Sequence, residues 1–146
     1  MSCIQYGTGY KYQLRRPHVE RTGIKPDRPV VTDWIALDKD GTLTISAGYA
    51  WDGASGPTYD SKSSMRGSLD HDALYQLMRM GLLDHKHRAE ADALFHRICR
   101  EDGMWPPRAW LWHLAVRVFA DPASDPANAV PDQCAPCDCP CPSSLA

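Results

Sequence analysis

Residues 65–103 read MRGSLDHDALYQLMRMGLLDHKHRAEADALFHRICREDG. Leu69, Leu74, Leu77 and Met78 recur at helical spacing, a broad apolar stripe from about 65 to 80 that Gly81 is placed to end. Asp84 is placed to cap a second helix running to about 102, with Ala91, Leu94, Phe95, Ile98 and Cys99 on one face and Gly103 closing it. The connection at 81–83 is so short that the two helices must be antiparallel neighbours. Pro106 and Pro107 then stand where prolines open a helix, which Trp110, Leu111, Leu114, Val116, Val118 and Phe119 continue.

Upstream of the helices the pattern is β. Tyr10, Tyr12 and Leu14 alternate with polar residues until Pro17, and a loop with Gly23, Pro26 and Pro29 follows. Val30-Val31 and Trp34-Ile35-Ala36-Leu37 lead into Asp38-Lys39-Asp40-Gly41, and Thr42-Leu43-Thr44-Ile45 comes out. Asp-Gly between two such runs predicts a hairpin. Residues 48–57, with Gly48, Gly53, Gly56 and Pro57, read as a loop with special backbone demands. The fold class is therefore α+β: N-terminal β-hairpins or a small antiparallel sheet, followed by three helices, the first two antiparallel.

At 146 residues there is room for one domain, expected over 1–120, and 43% hydrophobic against 23% charged residues suits a folded chain. Beyond 120 the character changes: residues 121–146 are rich in Pro, Ala, Ser, Asp and Cys and read as an extended tail. The tail holds four Asp and no Lys or Arg, leaving 14 acidic against 16 basic residues before it. That balance carries no clustered basic face and excludes nucleic acid as an expected partner. No apolar run approaches the roughly 18 residues of a transmembrane helix. The first residues lack the pattern of a signal peptide, so synthesis in a cytoplasm is expected.

His71 and Tyr75 are four apart and share a helical face, while Asp72 points about a quarter-turn away. Asp92, three residues before Phe95, lies at the edge of the second helix's apolar face. Antiparallel packing brings Asp92 to face His71 and Tyr75, and an imidazole held by a carboxylate at one nitrogen can take a proton at the other. Asp72 is placed to hold a hard cation, with carbonyls from the glycine loop at 48–56 as further ligands. The same His-Tyr-Asp network also serves simply to tie two helices together. Elsewhere the simplest readings are structural. His85, Lys86, His87 and Arg88 form a solvated first turn; Trp105, Trp110 and Trp112 are core and rim packing; His18, His96 and His113 carry no pattern.

Gly48-Tyr49-Ala50-Trp51-Asp52-Gly53-Ala54-Ser55-Gly56-Pro57, then His71-Asp72-Ala73-Leu74-Tyr75, then Ala91-Asp92-Ala93-Leu94-Phe95 resemble a phage and prophage family, domain of unknown function 1353, from roughly Tyr10 to Phe119. The resemblance implies a tailed-phage protein, made in the host cytoplasm and carried on the particle among other phage structural proteins; it supplies no activity. Locally, the His-Asp-Tyr helix with an Asp on its partner resembles secreted phospholipase A2. That likeness implies His71 as the general base, Asp72 as the calcium-binding carboxylate, Asp92 orienting His71, and Tyr75 bonded to Asp92. The glycine loop, Gly53 foremost with Asp52 beside it, then supplies oxygens to Ca2+ and helps form an oxyanion site. The chain departs from those enzymes in having no cysteine beside His71 and in placing Asp52 and Ser55 in the loop.

Cys134, Cys137, Cys139 and Cys141 crowd four thiols into eight positions. Four thiolates suit Zn2+ or an iron-sulfur cluster, although the usual long gap between cysteine pairs is missing. Reactive thiols or local disulfides in a flexible tail are an equal reading. For function, the sequence leads to a phage-encoded, metal-assisted hydrolase acting on an ester or amide of the host envelope. The alternative is a non-catalytic component of the phage tail or tail-tip with the same cluster as glue.

Overall fold

In the computed structural model, which describes residues 4–6, 12–53, 61–119, 125–128 and 133–135, the Asp-Gly hairpin lies at the heart of the sheet. Strands β5 (Ile35–Leu37) and β6 (Thr42–Ile45) pair antiparallel, with Leu37 opposite Leu43. Gly41 takes φ +90°, a conformation that disfavours a side chain, and its N–H donates to Asp38 O at 3.0 Å. The Thr42 N–H donates to Asp40 Oδ1 at 3.0 Å, so the aspartate stabilises its own turn. Ile35, Leu37, Leu43 and Ile45 point to one face and are buried, as a period of two requires.

β3 (His18–Arg21) flanks β6 and β4 (Val30–Val31) flanks β5, giving one antiparallel sheet in the order β3-β6-β5-β4. The sequence reading placed a loop after Pro17 and so missed β3. The strand has no apolar inner face; its half-buried positions are His18 and Glu20, while Val19 points outward. A second short pair joins β2 (Tyr12–Gln13) to β7 (Ala50–Trp51), with the Tyr12 and Trp51 rings 5.6 Å apart. β7 thus occupies part of the segment expected to be loop; residues 54–60 lie outside the described residues.

α1 (Lys62–Arg79) begins earlier than its apolar stripe suggests, because Ser61 and Ser64 form a cap: the Ser61 N–H donates to Ser64 Oγ at 3.0 Å. It stops at Gly81, as expected. Asp84 accepts from the Lys86 N–H at 2.8 Å and opens one turn of 3-10 helix, from which α2 (Arg88–Glu101) continues. α3 (Pro106–Phe119) starts at the expected prolines. α1 and α2 pack together, tightly at Gly67, where a Cβ would sit 3.1 Å from Phe95 Cδ2 and 3.2 Å from Cys99 Sγ. Their stripes join Ile24 and the inner face of the sheet in one continuous core.

Beyond the helices, β8 (Gln133–Ala135) pairs antiparallel with β1 (Ile4–Tyr6), bringing Cys134 opposite Gln5. Cys137, Cys139 and Cys141 lie outside the described residues.

Candidate active site

Three side chains converge on the α1–α2 seam. His71 Nε2 lies 2.7 Å from Asp92 Oδ1, and Tyr75 Oη donates to that same oxygen at 2.5 Å. The helical spacing of four sets the His71 and Tyr75 rings against each other, tilted by 33° with centroids 4.0 Å apart, and the Phe95 ring lies 5.5 Å from His71. A carboxylate oxygen accepts, so the proton on the short contact is the ring's Nε2–H. Nδ1 faces Asp72, whose Oδ1 is 4.0 Å away. His71 is only 5% exposed, and Tyr75 and Asp92 are fully buried. The Asp72 side chain, 26% exposed, is the wetter edge of the group.

The electrostatics follow from burial and from the carboxylates. Burial works against a charged ring at His71, but Asp72 and Asp92 outweigh it and hold its pKa above the ordinary 6.5. Tyr75 is pushed up by burial and further by Asp92. Asp72 is raised chiefly by burial, with Asp52 adding repulsion while His71 and Arg79 oppose it. Among the described residues Asp92 Oδ2 has no hydrogen-bond partner; Arg88 Nε stands 4.0 Å away.

The elements around β7 set this edge. Trp51 Nε1 donates to Ser68 Oγ at 3.2 Å and Tyr49 Oη donates to Gln76 Oε1 at 2.9 Å, which fastens β7 along α1. Exposed Asp52 and buried Gly53 follow directly. Asp52 adds repulsion at Asp72, but among the described residues neither belongs to a group of three side chains close enough together to hold a metal. Ser55 lies outside the described residues.

Sequence reasoning missed a second cluster. His18 Nε2 on β3 is 3.0 Å from Asp70 Oδ1 on α1, and Asp70 is fully buried. The Asp70 hydrogen bond raises the His18 pKa, while burial raises that of Asp70. Arg66 binds Glu20 at 2.6 Å, Glu101 at 2.9 Å and Asp102 at 2.9 Å. Ligand atoms of His18, Glu20 and Asp70 lie within 4.8 Å of one another, close enough for a metal, but each already has an ionic partner. Polar residues two apart in His18-Val19-Glu20 were the available signal.

Two further expectations change. His87 is not part of a solvated turn: it is buried, with Nδ1 2.8 Å from Glu90 Oε1, which shields an imidazole that turn geometry points inward. The tryptophans divide, Trp112 inside and Trp105 and Trp110 outside. His113 stacks on His96 with centroids 5.2 Å apart, and burial followed by His96 lowers its pKa. A groove of about 390 Å³ lined by residues 26–28, 81–84 and His87 includes none of His71, Asp72, Tyr75 or Asp92.

A protein-family model described as "Protein of unknown function (DUF1353)" matches residues 28–116, more than half of the chain and all four residues of the seam cluster. No curated protein and no solved structure matches the chain.

Proposed function

The chain belongs to the DUF1353 family, and from the geometry of its α1–α2 seam we propose that it is a phage-encoded, metal-assisted hydrolase of a host-envelope ester or amide, with phospholipid ester as the first substrate class. The observation that carries this reading is the orientation of His71: Asp92 takes Nε2, Tyr75 fixes Asp92, and Nδ1 is left facing the partly exposed Asp72. His71 Nδ1 accepts the proton of a water whose oxygen attacks the ester carbonyl, then returns it to the departing alkoxide. Asp92 holds the ring's tautomer and offsets the charge it gains. Asp72, with Asp52 and a Gly53 carbonyl, would hold calcium. A calcium ion bound there supplies positive charge against the developing oxyanion.

In this reading the protein is made in the host cytoplasm and carried with the phage particle, beside other phage structural proteins. The near-complete burial of His71 favours a second reading, a tail or tail-tip component in which the triad only ties α1 to α2.

Fatty-acid release from phospholipid vesicles, with calcium and then with a chelator, tests the proposal. The wild type should release fatty acid only with calcium, and Asp72→Asn should need much more of it. Release that ignores chelation and Asp72→Asn alike would remove the cation from the account.

A further inference from the structure

α3 is apolar on both sides. Its inner side, Ala109, Trp112, Ala115 and Val116, is buried. Its outer side carries Trp110, Leu111, Leu114 and Val118 at spacings of three, four and seven, one continuous face, with Trp105 just ahead of the helix. Trp105 is 72% exposed, Trp110 61% and Val118 59%. Scattered exposed hydrophobics are ordinary; five gathered on one helix and its approach mark a surface that something covers.

Charge says what kind of surface fits. Residues 103–120 contain no Asp or Glu; Arg117 is exposed on α3, whereas the Arg108 guanidinium lies over the inner Trp112 ring, 4.7 Å from its centroid. Tryptophan beside arginine suits the headgroup level of a membrane, where an indole finds both apolar and wet surroundings. A two-fold contact between copies would instead set each arginine-bearing face against another of the same sign. No described helix is long and apolar enough to cross a membrane. At 14 residues α3 is about 21 Å long, enough to lie flat on one. The helix also packs against α2, which carries Asp92 of the seam cluster.

We infer that the outer face of α3, with Trp105 ahead of it, docks on the surface of an anionic phospholipid bilayer. The inference deepens the lipid-hydrolase reading and rests on it for the substrate, but binding is measured without catalysis.

The test is co-sedimentation with vesicles of phosphatidylcholine alone and of phosphatidylcholine mixed with phosphatidylglycerol. The wild type should bind the mixed vesicles more tightly. Trp110→Ser with Leu114→Ser should weaken that binding more than about tenfold, because both side chains enter the interface. Arg117→Gln should weaken it about fivefold, on anionic vesicles only. All three positions are exposed, so unchanged melting curves are expected alongside. A wild type that fails to bind, or that binds both vesicles equally and regardless of these substitutions, overturns the inference. So does a wild-type dimer, lost in the double variant, that ignores vesicles; the face then belongs to a protein contact. A double variant that misses vesicles yet cleaves a dispersed short-chain phospholipid supports docking and hydrolase together. Vesicle binding by a wild type inert towards every ester keeps the docking face and removes the hydrolase.

Discussion

His71 Nε2 and Asp92 Oδ1 stand 2.7 Å apart across the seam between α1 and α2, with Tyr75 donating to the same oxygen. One carboxylate oxygen therefore takes two donors from consecutive turns of the facing helix. All three groups are buried, so removing any one leaves the others without water to replace it. The arrangement commits Nε2 to Asp92 and leaves Nδ1 facing Asp72, and the general-base proposal depends on that choice.

Tyr75→Phe isolates the hydroxyl. It keeps the ring against His71 but removes one of the two donors to Asp92, and should cost about 1–2 kcal/mol in urea unfolding. An unchanged midpoint would mean that Tyr75 does not hold Asp92.

Gly67→Val tests the tight contact between α1 and α2. A branched side chain must displace Phe95 and Cys99, which already lie 3.1 and 3.2 Å from the position of a Cβ. Loss of about 2 kcal/mol or more is expected from overpacking. A variant as stable as the wild type would contradict the packing of α1 on α2.

The His18–Asp70 pair sets a pH dependence. Its hydrogen bond holds the His18 pKa above 6.5, with Glu20 adding to the effect and burial and Arg66 opposing it. Protonation thus favours the folded state: the contribution is full below 6.5 and is lost as pH rises through the folded value. Asp70, raised by burial, acts in the same sense at lower pH. The melting temperature should fall from weakly acidic to weakly alkaline pH, and His18→Gln should flatten that fall. A variant with the wild-type slope would assign the dependence elsewhere.

Cys99 should resist alkylation. It is buried, and burial pushes its thiol up to about 12, so little thiolate forms at neutral pH. Peptide mapping after iodoacetamide should find Cys99 unmodified in native protein and modified after unfolding; rapid native labelling would contradict its burial.

The hairpin at Asp40-Gly41, the helix ends at Gly81 and Gly103, and the meeting of His71 with Asp92 were legible because local rules governed them. Turn residues, apolar spacing and a short connection suffice there. β3 was hidden because its inner face is His18 and Glu20, whose partners Asp70 and Arg66 are about fifty residues away in sequence. β7 was masked by its glycine-rich surroundings. α3 was legible as a helix but not in orientation, since a helix apolar all round does not announce which side is inside.

His71→Gln compared with the wild type tests the central claim most directly. Glutamine can keep an N–H donor towards Asp92 while removing the basic Nδ1. Calcium-supported release of fatty acid from phospholipid vesicles should fall by about 10²- to 10⁴-fold, with melting temperature close to the wild type's. Hydrolysis that continues at the wild-type rate in His71→Gln, or a wild type with no hydrolysis to lose, would contradict a general base at His71 and leave the seam as a structural tie.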